Sequence, residues 1–305
     1  MNYTLHQLQI FLKIVEKKSI TKASQELHLT QPAVSIQLKN FQNQFPIPLT
    51  EVVGRKLYIT DFGKEMAVAA EKIMNEVHQI KYKTLEYEGE LSGLLKISIV
   101  STGQYIFPYF ISEFIKSHQG VDLVLDVTNK ERVVHSLEEN QVDFSLVSIV
   151  PKHLQIQKAK LMENKLYLVG NSSEKFSKKA YDTSFLTTLP LIYREPGSGT
   201  RYTMEKFIEQ NDLRIRNKME IISNEAVKQA VLAGLGYSIM PLIGIRTELE
   251  NKRLQIIPMK GLPLKSTWNL IWLKNKKLSP VANALLQFIE ANKEKIIQNY
   301  FYQIS

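Results

Sequence analysis

The stretch SITKASQELHLTQPAVSIQLKNFQ, residues 19–42, decides how the N-terminal part of this chain folds. Ile20, Ala23 and Leu27 recur at helical spacing. After a tight turn at His28 and Leu29 a second periodic set follows, Val34, Leu38, Phe41 and Phe45. Thr30 stands where an N-cap is required and Pro32 is tolerated only in a first helical turn, so the second helix begins here. Pro46 and Pro48 are expected to end it. Working outward, Leu5, Leu8, Phe11, Leu12 and Val15 place a further helix upstream, and the extended, glycine-punctuated residues 51–60 read as a small hairpin. Three helices and a hairpin within residues 1–60 make a winged helix-turn-helix, in which one face of the last helix is held by apolar contacts and the other enters the major groove of DNA. The outward face carries Gln31, Ser35, Ile36 and Lys39, with Gln31 and Pro32 at the end nearest the base edges. Glutamine reads adenine, serine bonds a base or phosphate, and an exposed isoleucine touches a thymine methyl. Arg55 and Lys56, at the hairpin tip, are placed to enter the minor groove or hold phosphate. The competing reading makes the same helix exposed surface in a protein–protein module.

From residue 61 the pattern becomes a long helix without proline, in which Met66, Ala70, Ile73, Val77, Ile80, Thr84, Tyr87 and Leu91 alternate steps of four and three residues. That is a heptad seam, the period of two helices coiled on each other. Met66, Ile73, Val77 and Ile80 are therefore expected to hold two chains together. The alternative is a simple amphipathic helix packed on its own domain, which favours a 3.6-residue period and a wider stripe. Beyond Gly93, β-rich runs at 95–100, 121–127, 144–149, 166–169, 191–193, 219–222 and 237–240 alternate with helical ones. This alternation predicts βαβ units and mostly parallel sheets, with ligands collecting at the carboxyl ends of strands. The expected architecture is α+β: a winged helix-turn-helix over 1–60, a linker helix over 61–90, and a two-lobed α/β domain over 91–305. Lobe I takes in about 91–163 and 269–305, and lobe II about 164–268. Lys274 to Lys277 read as a solvated turn before a last helix over 280–297.

The chain has 305 residues, 44% of them hydrophobic, and a net charge of +9. Residues 1–60 hold seven Lys and Arg against three acidic residues, which suits a polyanion partner. No cysteine is present, which removes disulfides, thiolate catalysis and Cys-based metal sites. The six histidines are scattered without metal-ligand spacing, and no Walker A or dinucleotide fingerprint occurs. Gly197-Ser198-Gly199 is not a nucleophile elbow, because Pro196 and Thr200 break the spacing. No metal or cofactor is expected, and no enzyme. No apolar run reaches membrane-spanning length and the N-terminus lacks the pattern of a secretory signal, so a cytoplasmic location without a membrane partner is expected.

The text LHQLQIFLKIVEKKSITKASQELHLTQPAVSIQLKNFQ, followed by GRKLYITDFG, resembles the LysR-type transcriptional regulators, and the resemblance covers the whole chain. It rests on TQPAVS at 30–35, the spacing to Gly54 and Arg55, and the residues 60–63 that open the linker helix. The resemblance implies a winged helix-turn-helix, a linker-helix dimer often assembled as a tetramer, and an effector domain similar to type 2 periplasmic binding proteins. Promoter or operator DNA, a small-molecule effector and RNA polymerase are the partners it implies. YREPGSGTR at 193–201 and AVLAGLGYSIMP at 230–241 look most like the subgroup controlling carbon-fixation or sulfur and nitrogen assimilation genes. Thr50 and Val52 depart from the pattern, standing where members carry an aromatic and an arginine. Matching the family motif residue by residue places Ser101, Thr102, Thr128, Ser148 and Thr200 in the effector pocket. From the residues themselves, the helix starts at 101–104 and 198–201 offer backbone donors to an anion, with Ser198 at the second and Arg201 as a possible counter-charge. The plain alternative makes these hydroxyls helix caps and turn residues. A solute-binding protein would share the two lobes but would not carry residues 1–90, and an enzyme grafted on a DNA-binding head would need a catalytic constellation that is absent.

Overall fold

The computed structural model describes residues 2–54, 56–87, 89–176, 179–216 and 218–301. It divides into two compact units, Met1–Glu90 and Leu91–Ser305. In the first unit, α1 (Leu5–Lys17) opens on a capping box between Thr4 and Gln7 and buries Leu8, Ile10, Phe11 and Ile14. The stripe is rotated from the one the sequence suggests: Ile10 and Ile14 are buried, whereas Leu5 is exposed. Ser19 caps α2 (Ile20–Glu26), and Thr30 caps α3 (Gln31–Gln42), its hydroxyl accepting from the Ala33 amide. Helix α3 ends at Gln42, ahead of the prolines expected to end it. The chain then curls back through tighter turns, so Phe45 still reaches the core and packs 5.2 Å from Phe41.

The wing is an antiparallel hairpin of β1 (Thr50–Val53) and β2 (Lys56–Ile59), turning through Gly54 at φ 64, a conformation that disfavours a Cβ. Thr50 has a definite task there. Its amide and hydroxyl both donate to the side-chain oxygen of Gln42, at 3.2 and 3.0 Å, and so fasten the wing to the end of α3. Thr60 accepts from the Gly63 amide at 2.9 Å at the start of α4 (Asp61–Tyr87).

Helix α4 shows two faces. Ala67, Ala70 and Met74 are buried in the core formed by α1 to α3, with Met66 partly buried against it. Ala70 therefore belongs to that core and not to an intermolecular seam. Ile73 and Ile80 point outward, 39% and 66% exposed, and Val77 is half-buried. Leu91 lies beyond the helix end. The side chains of Thr84 and Tyr87, and all of Arg55, fall outside the described residues.

The second unit begins β3 (Ser92–Val100), α5 (Phe107–Ser117), β4 (Gly120–Thr128), α6 (Lys130–Glu138), β5 (Phe144–Val147) and β6 (Ile156–Asn171). It continues β7 (Leu191–Arg194), α7 (Gly199–Gln210), β8 (Lys218–Ile221), α8 (Asn224–Leu232), β9 (Ser238–Pro241) and α9 (Arg246–Glu250). It closes with β10 (Leu254–Ile256), β11 (Leu264–Leu273) and α10 (Pro280–Phe301). One sheet runs β10-β6-β11-β5-β3-β4, with β9 also paired to β6, and β7 and β8 form a second, parallel pair. The main sheet is mixed, not mostly parallel. Only β3 with β4 and β3 with β5 are parallel, while β6 and β11 pair antiparallel with each other and with their other neighbours.

Two apolar cores meet along these long antiparallel strands. Ala159, Leu161 and Met162 of β6 and Trp268 and Leu270 of β11 enter a core with Ile97, Phe110, Phe144 and Ile289. Farther along, Leu166 and Leu168 of β6 enter a core with Tyr193, Met204, Phe207 and Ile257, against which Leu264 of β11 packs. The first core defines lobe I, and the second, with a smaller cluster around Val169, Ile192, Val227 and Met240, defines lobe II. Lys276, expected in a solvated turn, is instead tucked in. Its ammonium donates to the Val142 carbonyl at 2.7 Å and pairs with Asp143 at 3.2 Å, the side chain 14% exposed.

Candidate functional site

Helix α3 lays Val34, Leu38 and Phe41 into the core and turns Gln31, Pro32, Ile36 and Lys39 to solvent, Ile36 being 57% exposed. Ser35 is half-buried on the same side. Gln31 and Lys56 line one open groove between the helix pair and the wing, together with Lys18, Tyr58 and Lys64. Lys18 and Tyr58 were not singled out by the sequence. Lys18 is the left-handed residue that closes α1, φ 49, a conformation that side-chain pattern alone does not announce.

In the second unit, a narrow cleft with a cavity volume of about 10 Å³ opens where both lobes meet. Ser101 and Thr102 reach it from the 3₁₀ turn after β3, Asn129 and Lys130 from the start of α6 after β4, and Ser148 from the end of β5. These are the carboxyl ends of three parallel-paired strands, where open sheets bind ligands. Lobe II contributes Ser198, Gly199 and Thr200 at the first turn of α7. Gly197 precedes them at φ 83, and a Cβ there would stand 2.5 Å from the Glu131 carboxylate. Its carbonyl accepts from the Glu131 amide at 3.3 Å, which ties the start of α6 to the loop before α7.

The cleft thus brings together Ser101, Thr102, Ser148, Ser198 and Thr200. Thr128, at the end of β4, does not line it. Arg201 does not supply its charge. The guanidinium is committed to Glu205 at 2.7 Å and Glu220 at 2.6 Å, with a further bond to the Arg194 carbonyl at 3.0 Å. Ser198 and Asn129 act as caps, their side-chain oxygens accepting from the amides of Arg201 and Arg132. Among the described residues, the amides of Lys130, Gly199 and Thr200 find no acceptor.

Sequence reasoning missed Asn129, Lys130, Arg194 and Asn224. Arg194, 4% exposed, pairs with Glu195 through Nε at 2.8 Å and a terminal nitrogen at 2.9 Å, and donates to the Asn224 side chain. The same terminal nitrogen reaches Ser101 Oγ at 3.4 Å, and Asn224 Nδ2 donates to that oxygen at 2.9 Å. Ser101 of lobe I therefore has its lone pairs taken by lobe II. What it retains for a ligand is its hydroxyl proton. Lys130 is half-buried with its ammonium 5.1 Å from the centre of the Tyr202 ring, and burial pushes its pKa below the ordinary lysine value. Among the described residues no group of His, Asp and Glu is placed to hold a metal, and no helix is long and apolar enough to cross a membrane.

A helix-turn-helix joined to a two-lobed domain with a polar cleft defines a class of ligand-responsive DNA-binding proteins. Residues 5–64 match the bacterial regulatory helix-turn-helix protein, lysR family, and residues 88–293 match the LysR substrate binding domain. The chain belongs to the LysR family, and is a DNA-binding transcriptional regulator. It is 36% identical over 296 residues to the HTH-type transcriptional activator CmpR of Synechocystis, covering 97% of each chain. It is 34% identical to a RuBisCO operon transcriptional regulator of Allochromatium vinosum, covering 95% of this chain and 96% of that one. These relatives agree with the carbon-fixation subgroup suggested by residues 193–201 and 230–241. Among solved structures, the regulatory domain of Synechocystis CcmR in complex with 2-PG is 27% identical, with a TM-score of 0.63, over 67% of this chain and 98% of that one. Full-length CbnR with its target DNA shares the fold, with a TM-score of 0.72 at 18% identity, over 95% of this chain and all of that one.

Proposed function

We propose that this protein binds operator DNA as a homo-oligomer in the cytoplasm, through Gln31, Pro32, Ser35, Ile36, Lys39, Arg55 and Lys56, and answers to a small anionic metabolite held between the lobes of its C-terminal domain. The observation that carries the effector reading is the set of unsatisfied amides at the first turns of α6 and α7, converging with the hydroxyls of Ser101, Thr102, Ser148 and Thr200 on one cleft. Helix starts carry positive potential and orphan donors, and an apolar ligand would leave each donor unpaired at about 1–3 kcal/mol. A related regulatory domain that binds 2-phosphoglycolate supports the same class of ligand. RNA polymerase is the further partner of a regulator of this kind. No catalytic step is assigned to the chain, whose relatives are regulators.

A gel-shift on the DNA upstream of this protein's own gene, with and without 2-phosphoglycolate, tests the reading. Specific retardation that the ligand alters in mobility or footprint is expected. An effector that proves to be an uncharged, hydrocarbon-like compound would overturn the anion site.

A further inference from the structure

Among the described residues, one charged side chain lines the cleft. Lys130 is the first residue of α6, and its Cβ lies 4.0 Å from where a Cβ on Gly199 would stand, so its stem crosses from lobe I to the first turn of α7. It lines the cleft and also the broader groove outside it, which Tyr202, Glu131 and Glu205 share. Glu205 is taken by Arg201, and no carboxylate pairs with Lys130 among the described residues. Its ammonium rests on the Tyr202 ring, which offsets only part of the cost of burying a charge. Arg201 is neutralised twice over, whereas Lys130, which lines the cleft, has no carboxylate partner among the described residues and stands beside amides that have no acceptor.

We propose that Lys130 is the charge-selecting residue of the effector cleft, which fits it to a small anion carrying two negative charges on one group, of the phosphate-monoester type. The inference rests on the cleft being the effector site. The amides of Gly199 and Thr200 are neutral donors that accept a singly charged group equally well, so they do not tell a monoanion from a dianion. An unpaired ammonium does, because its attraction to the bound group grows with the charge that group carries, about doubling from a monoanion to a dianion at the same distance. Without ligand the ammonium stays on Tyr202. With a dianion bound it leaves the ring for the ligand, and the contact that bridges Lys130 to α7 is replaced by one through the ligand to the same helix turn.

Calorimetric titration of the full chain with 2-phosphoglycolate and with glycolate, which lacks the phosphoryl group, tests this. Lys130→Gln is expected to lose about tenfold or more in affinity for 2-phosphoglycolate, while whatever affinity it has for glycolate changes little. Lys130→Arg should restore most of the loss, since the charge is kept. Unliganded Lys130→Met should melt no lower than wild type, because it removes a charge that no acid balances. If Lys130→Gln binds 2-phosphoglycolate as tightly as wild type, or loses both ligands equally, the charge-selecting role is wrong and the cleft stands. If wild-type protein binds neither ligand, the cleft reading falls and this inference with it.

Discussion

Gln31 and Lys56 face the same groove yet are built to fail differently. Glutamine at the start of α3 offers a donor and an acceptor to a base edge, so Gln31→Ala should relax preference at one base pair by about 1–3 kcal/mol while leaving binding to random DNA nearly intact. Lys56 on the wing offers only charge. Lys56→Ala should weaken specific and random DNA alike and lower the salt slope by about one unit, since one fewer counterion is released. Fluorescence anisotropy on both DNAs over a salt series separates the two, and equal losses for Gln31→Ala would refute its base contact. At this scale the sequence was an uneven guide. Arg201 drew attention because it follows a Gly-Ser-Gly helix start, but Glu205 stands four residues on, a pairing legible in the sequence itself. Glu220 arrives only when β8 folds beside α7, and nothing local foretold it. Lys130 stayed hidden for the same reason. Its burial and its seat on Tyr202 come from a helix some seventy residues away along the chain.

Elements were most legible where a local rule sufficed. The cap read at Thr30 sits on the start of α3, since it needs only a side-chain oxygen three residues from an amide. The long strands were legible only in their apolar halves. The first half of β6 carries exposed Gln157, Lys158 and Lys160, and the first half of β11 carries Lys265, Ser266 and Thr267, so neither reads as a buried run until paired with the other. Antiparallel pairing with one wet face permits that polarity, and it is why a parallel sheet was expected where a mixed one is found. Helix α4 shows the ambiguity of a periodic pattern. A seam of four-and-three steps and a stripe facing its own domain overlap at Ala70, and the core of α1 to α3 took that residue. What remains outward, Ile73 with half-buried Val77, is the basis for a prediction about assembly. Ile73→Glu leaves the chain's own core untouched, so the separate chain should still fold, yet a charge buried against its symmetry mate would be costly. Analytical ultracentrifugation should show loss of the linker-helix dimer for Ile73→Glu and Val77→Glu, with poor affinity for DNA carrying two half-sites. Dimers that still cross-link along α4 in both variants would end the coiled-coil reading.

For the whole molecule the question is how a ligand in one unit changes what the other does at DNA. A ligand shifts a conformational equilibrium only by its difference in affinity for the two states. The cleft meets that condition because its walls belong to different lobes, with Ser101, Thr102 and Ser148 on one side and Ser198 and Thr200 on the other. The lobes are joined by β6 and β11, each of which passes from one core to the other, and by the bonds of Arg194 and Asn224 to Ser101. A ligand bridging both walls therefore favours one arrangement of the lobes. Thr200 is the residue that tests this with least disturbance. Its side chain makes no hydrogen bond to the protein among the described residues, and valine has nearly its shape, so Thr200→Val should leave the fold and the cores intact. At a hundredfold excess over Kd, 2-phosphoglycolate should stabilise the wild-type effector unit by about 2.7 kcal/mol, a rise of roughly 5–10 °C for a domain of this size. Thr200→Val should lose most of that rise. Basal DNA affinity should stay near wild type, because the helix-turn-helix is built on a core drawn from residues 3–74 alone. The decisive readout is the footprint, which in the wild type should change on adding the ligand and in Thr200→Val should not. A variant that still gains the full thermal shift and still changes its footprint would show that the effector is held somewhere other than the first turn of α7.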